Sequence, residues 1–312
     1  MFEGARSASE ELPRCRFGLP FAILSKKFVM KRSGFTLIEL VFVVFGIVLL
    51  ISLLLPAVQK VREVAARTQT HNHLMQLALA LHSVNDATGQ LPPPTGKFGR
   101  INATLHVHLL PYVEQDNLYQ KIVEGMPLAQ QQEIGVPIYQ SPQDPTSRSK
   151  PAGTQNYAAN LRAFDKAGVA QGKAGFQKAF KPTGLGGSSI PDTFTDGASN
   201  TISFATMYSN CGGAGPVFFT NSSLAGSSPF FGCLANNLPA SFQNVPGQIF
   251  QNGPTDSNCN PDWTPQGYFI RGISVALFDG SVRVVYASIH PATWAAACQP
   301  NDGIPLAADW AE

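Results

Sequence analysis

Few side chains in this sequence are placed for chemistry, and the one with most to explain is Glu39. It is a lone carboxylate in Gly34-Phe35-Thr36-Leu37-Ile38-Glu39-Leu40, and the run that follows to Leu55 is apolar except for Ser52. Within a bilayer a carboxylate costs roughly 2.5 to 3.5 kcal/mol, and such residues usually have a partner and a role. The remaining ionisable and nucleophilic residues form no comparable pattern. His71 and His73 are two apart on a helix, which turns them to different faces. His106 and His108 would share a face only on a strand, whereas Leu109-Leu110-Pro111-Tyr112-Val113-Glu114-Gln115 favours helix there. His82 and His290 stand alone. All six are read as surface or packed histidines, with no metal site. No G-x-S-x-G elbow occurs, and no spacing links Ser, His and Asp as a triad. Phosphate-binding G-x-x-x-x-G-K-[ST] and helix-opening G-x-G-x-x-G patterns are absent. No catalytic residue and no cofactor is expected, and the chain reads as a non-enzyme.

The element that must position Glu39 is a long helix. Phe35 to Leu55 is 21 residues, close to the ~20 that span a ~30 Å hydrocarbon core. Lys26, Lys27, Lys31 and Arg32 precede it, so the positive-inside bias keeps the N-terminal side cytoplasmic and exports the C-terminal bulk. No small-residue cleavage site follows the apolar run, which continues into Pro56-Ala57-Val58. Pro56 should loosen or kink the helix. Beyond it Val58, Val61, Ala65, Leu74, Leu77, Leu81 and Val84 recur mainly at three- and four-residue steps, one apolar face of a helix running to Ala87. Gly89 ends that helix and Pro92-Pro93-Pro94 prevents its resumption. The expected division is a leader at 1–34, a helix at 35–87 that is transmembrane over 35–55, and an exported globular domain at 88–312.

Composition agrees with an exported, loop-rich domain. Residues 1–34 hold 7 of the 22 Lys and Arg and 3 of the 20 Asp and Glu, leaving 15 basic and 17 acidic side chains beyond them. That balance gives no footprint for nucleic acid. Asp196-Gly197 and Asp279-Gly280 are turn dipeptides suited to type I′ hairpins, with turn formation rather than ligation as their expected role. Around the second, Ile273, Val275 and Leu277 alternate before the turn and Val282, Val284 and Tyr286 after it. Leu105 to Gln120 reads as a short helix or a helix pair broken at Pro111. Residues 209–265, rich in Gly, Ser, Asn and Pro, read as a large insertion on the sheet edge. Besides Cys15, the cysteines are Cys211, Cys233, Cys259 and Cys298. An even number in an exported domain fits two disulfides with three possible connectivities, at least one bridge lying inside the insertion. Their spacings fit no common zinc module.

The basic leader, the Gly34–Phe35 junction, Glu39 and the apolar helix together resemble a type IV prepilin. The resemblance implies cleavage after Gly34, N-methylation of Phe35, and pairing of Glu39 with the new Phe35 amine to guide assembly. Pro56 falls where many pilins also have proline. Met30-Lys31-Arg32-Ser33-Gly34 matches a short leader by itself, so translation is expected to start at Met30, with an extended leader as the alternative. Further blocks follow in order: HNHLMQLALALHSVNDATGQLPPP, LHVHLLPYVEQDNLY, IYQSPQDP, NYAAN, TDGASNTISF and ALFDGSVRVV. In combination they are similar to a large prepilin-like bacterial family of unknown function whose C-terminal part carries an H-x9-DG signature. Departures from its pattern are informative. Thr70 or His71 stands at one usual cysteine and Ser141 at the other, as if a pair had left together. Thr206 replaces a frequent Glu, and Phe269 replaces the signature His, so chemistry assigned to those two residues in relatives does not carry over.

The expected fold is pilin-like α+β, a long N-terminal helix packed on an antiparallel sheet with irregular loops. The expected function is a pseudopilin-like structural or assembly component of a pilus-like or type II secretion apparatus. Its implied partners are a prepilin peptidase, other pilin-like subunits and the inner membrane, with a single pass and the C-terminal domain in the periplasm or outside the cell. The alternative is a membrane-tethered extracytoplasmic ligand-binding module, perhaps a glycan binder.

Overall fold

Helix α1 (Leu37–Thr88) is 52 residues long. Thr36 opens it: its carbonyl accepts the Leu40 N–H at 3.2 Å and its hydroxyl the Glu39 N–H at 3.4 Å. Gly89 closes it, taking a φ of 75° while its N–H donates to the Asn85 carbonyl. The computed structural model describes residues 34–146, 153–165, 186–211, 230–231, 249–255, 258–259, 264–269 and 272–311. The chain divides into two units, Met1–Leu55 and Pro56–Glu312. In the described part of the first, every large apolar side chain is exposed, from 47 % at Leu49 to 81 % at Leu37. This helix is long and apolar enough to cross a membrane.

The second unit is an α+β domain that includes the rest of α1. After α1 come a small hairpin, β1 (Thr95–Phe98) and β2 (Ile101–Thr104), then α2 (Leu105–Leu109), a 3-10 turn (Leu110–Val113), α3 (Asp116–Val123) and α4 (Leu128–Gln132). The expected helix pair broken at Pro111 is therefore present, with Pro111 near the start of the 3-10 turn where its missing N–H is harmless. The remaining elements are β3 (Tyr157–Asn160), α5 (Leu161–Phe164), β4 (Ile202–Thr206), β5 (Phe230–Phe231), β6 (Gln251–Asn252), β7 (Gln266–Gly267), β8 (Gly272–Leu277), β9 (Val282–Tyr286) and α6 (Pro291–Cys298). The main sheet has the order β5-β3-β4-β8-β9. Its four longer strands are antiparallel, whereas the two-residue β5, from within the expected insertion, adds parallel to the β3 edge. Gly267 and Gly272 permit close backbone approach where β7, β8 and β9 meet: a Cβ on Gly272 would strike the Val285 carbonyl of β9, and one on Gly267 the Gly272 carbonyl of β8.

Both faces of the sheet are covered, which explains why β8 is buried at all six positions. Ile273, Val275 and Leu277 point to a cluster with Ile202, Ala205, Val285, Trp294 and Ala297, the last two from α6. Ala276 and Phe278 join the opposite cluster, with Tyr157, Phe204 and the α1 residues Leu74, Leu77, Leu81 and Val84. On β9 the buried residue is Val285, paired with Ile273, while Val284 is half-buried and Tyr286 exposed. Val282, which alternates with Arg283, packs against the α1-side cluster, while Val285 faces the α6 layer. The apolar face of α1 is covered along less of its length than expected. Its buried residues begin at Thr70, and Val58 and Val61 are 46 % and 67 % exposed. The apolar stripe read from Val58 onward is covered only in its second half.

Candidate functional site

The residues singled out in the N-terminal stretch lie together only along the chain. Gly34 and Phe35 precede α1, and Phe35 is 70 % exposed. Glu39 occupies the first turn, where a carboxylate complements the positive end of the helix dipole. It is the only ionisable side chain between Arg32 and Lys60. Pro56 lies inside α1, and the helix continues through it.

The two Asp-Gly turns serve as backbone clamps. Between β8 and β9, the Gly280 N–H donates to the Leu277 carbonyl at 3.2 Å and the Leu277 N–H to the Ser281 carbonyl at 2.9 Å. Only Gly280 of the pair has positive φ, at 89°. The hairpin therefore exists, but Phe278 and Asp279 are central to the turn and Gly280 follows them, a bulged turn rather than type I′. Asp279 accepts from the Ser281 N–H and hydroxyl at 2.8 and 2.7 Å. Asp196-Gly197 forms no hairpin; it lies in the turn-rich segment before β4. Its carboxylate instead accepts the Asp302 N–H at 2.6 Å and the Gly303 N–H at 3.1 Å, fastening the C-terminal segment. Burial, with Asp196 nearby, pushes the Asp302 carboxyl up to about 6.

Cys211 and Cys259 are disulfide-bonded, with Cα atoms 5.4 Å apart. Cys298 departs from the expected second bridge. Its thiol is free because α6 buries it in the cluster with Ile202 and Trp294, and burial pushes it up to about 12. Cys233 lies outside the described residues. Near the disulfide, Asp144 is a buried carboxylate that accepts from the Thr146 N–H and hydroxyl, the Asn156 amide at 2.8 Å, and the Ser209 N–H and hydroxyl. Neutral donors thus satisfy both of its oxygens. This knot joins the SPQDP turn, the approach to β3 and the segment after β4.

The histidines are struts. His71 Nε2 lies 3.1 Å from the Ser274 hydroxyl, His73 Nδ1 donates to the Gln140 carbonyl at 3.0 Å, and His82 Nε2 donates to the Phe278 carbonyl at 2.6 Å. These three bonds fasten α1 to the domain. His106 Nε2 donates to the Tyr157 carbonyl and His108 Nε2 to the Gly96 carbonyl, and both rings are buried. Desolvation lowers His106 to about 3 and His108 to about 4, and also lowers His71 and His73. His290 caps α6, its Nδ1 accepting the Ala292 N–H. Among the described residues, no group of three His, Cys, Asp or Glu could hold a metal ion.

The substituted family positions also have definite places. The hydroxyls of Thr70 and Ser141 lie 2.7 Å apart, both buried, so a hydrogen bond joins α1 to the segment before β3. Thr70 makes this contact, whereas His71 reaches Ser274 instead. Thr206 donates to the Gln266 carbonyl. Phe269 lies under the Arg67 guanidinium, 5.9 Å from ring centroid to Cζ, and both line a groove of about 480 Å³ with Lys60 and Tyr286. None of these contacts presents a nucleophile with a base.

No curated protein and no solved structure matches the chain. The model of one family, SBP_bac_10, described as a protein of unknown function (DUF1559), matches residues 59–292. That span is well over half of the sequence and contains α1 from its second half to the start of α6. The chain belongs to the DUF1559 family.

Proposed function

We propose that the protein is a pseudopilin-like assembly component, made as a prepilin and held by one helix in the inner membrane with its α+β domain exported. The observation that carries this reading is Glu39, the one ionisable group in the exposed apolar stretch from Phe35 to Leu55, which is of membrane-spanning length. A plain anchor has no use for a carboxylate there, whereas a subunit that docks helix against helix can use it to neutralise the Phe35 amine of itself or a neighbour. In this reading a prepilin peptidase cuts after Gly34, Phe35 is N-methylated, and other pilin-like subunits are the partners.

Processing is the first test. Mass spectrometry of the membrane-extracted protein should find methylated Phe35 as the N-terminus. An intact leader, or a cut beyond residue 55, would contradict the prepilin reading. A second reading, a membrane-tethered ligand-binding module, is favoured by one observation: an open groove beside α1 lined by Glu114.

A further inference from the structure

That groove, about 530 Å³, lies within the exported domain and is within the size range of small-ligand sites. His73, Gln76 and Leu79 line it from α1, and Tyr112, Glu114 and Gln115 line it from the turn before α3. Glu114 has a φ of 63° and is the only non-glycine residue with positive φ among the described residues. Its N–H closes the 3-10 turn by donating to the Leu110 carbonyl, a position where glycine would be free of strain. Strained residues of this kind gather at ligand sites. The Glu114 carboxylate is exposed and has no protein partner among the described residues.

The chemistry of the lining narrows the ligand. No lysine or arginine lines the groove, so an anionic ligand would face Glu114 without a counter-charge. His73 is half-buried and donates through Nδ1 to Gln140, which leaves Nε2 of the neutral ring as an acceptor. Two amides, one carboxylate and one imidazole acceptor therefore lie beside an apolar patch. Leu79 in that patch is 51 % exposed, and Tyr112 is also in the lining. Donors and acceptors together beside exposed apolar side chains suit the hydroxyls and the C–H face of a sugar ring.

We propose that this groove binds a neutral saccharide, with Glu114, Gln76 and Gln115 taking its hydroxyls and Leu79 and Tyr112 its apolar face. The proposal rests on the ligand-binding reading, and its failure would leave cleavage after Gly34 and assembly through Glu39 untouched.

The test uses the full chain in phospholipid nanodiscs, because alkyl-glycoside detergents would compete for the site. Saturation-transfer NMR is recorded with neutral oligomers of glucose, mannose and xylose, with oligogalacturonate and oligoglucosamine as anionic and cationic comparators. At least one neutral oligomer should bind. Glu114→Gly removes the carboxylate while relieving the backbone, and should weaken binding about tenfold, the scale of one lost hydrogen-bonding group. Gln76→Ala, an exposed change on α1, should weaken it similarly. Absence of binding by every neutral oligomer, binding of only a charged comparator, or wild-type affinity in both variants would overturn the proposal.

Discussion

At the residue scale, His106 and His108 set how the domain responds to acid. His106 donates through Nε2 to a carbonyl, and the Gln155 amide reaches its Nδ1 at 3.5 Å, so the ring is neutral. In the unfolded chain both histidines titrate near 6.5. In the fold, burial lowers them to about 3 and about 4. Between those values the unfolded state binds more protons, so stability is fully present above about 6.5 and falls as pH drops towards 4, by roughly 1.4 kcal/mol per pH unit for each fully buried histidine. Asp302 acts in the opposite sense. Its folded carboxyl, raised to about 6, favours the fold as pH falls through that range. Two buried imidazoles outweigh one partly exposed carboxyl. The urea midpoint of the exported domain should therefore fall from pH 7 to pH 5, and Asp302→Asn should steepen the fall. A midpoint that is flat or rises on acidification would mean that the imidazoles are not held neutral.

At the element scale, the second half of α1 is fastened by its apolar face and by polar bonds to distant segments. One is the Thr70–Ser141 hydroxyl pair, 71 residues apart in sequence. If these hydroxyls stand where a disulfide would fit, the double variant Thr70→Cys, Ser141→Cys should oxidise spontaneously in an oxidising compartment and raise stability by roughly 2 to 4 kcal/mol. Non-reducing peptide mapping and denaturant unfolding check this, and free thiols at both positions would show that the side chains cannot take up disulfide geometry. What was legible in the sequence divides along the same line. Helix α1 and the β8–β9 hairpin could be read because each repeats a local period over several residues. Strands β5, β6 and β7 are two residues each, too short for any period. The histidine struts were hidden because their partners lie far along the chain: Ser274 is 203 residues from His71 and Phe278 is 196 from His82. Asp279 announced a turn, but its residue type could not distinguish a type I′ turn from the bulged turn that forms. Glu114 carried no signal at all, because a left-handed residue is normally announced by glycine or asparagine.

At the scale of the whole molecule, the assembly account rests on the pairing of Glu39 with the Phe35 amine. A tethered module needs the apolar helix only as an anchor. Replacing an intramembrane carboxylate with an apolar residue removes a cost of roughly 2.5 to 3.5 kcal/mol, so anchoring should persist or improve. A docked subunit would instead be left with a buried, unpaired amine, and losing one partner of a buried ion pair destabilises by about 3 to 5 kcal/mol. The direct measurement is crosslinking of wild type and Glu39→Leu in the native membrane. The account predicts that the variant is exported, cleaved and membrane-bound, yet absent from the multi-subunit species that wild type forms. Identical higher-order species from both proteins, or none from wild type, would contradict it.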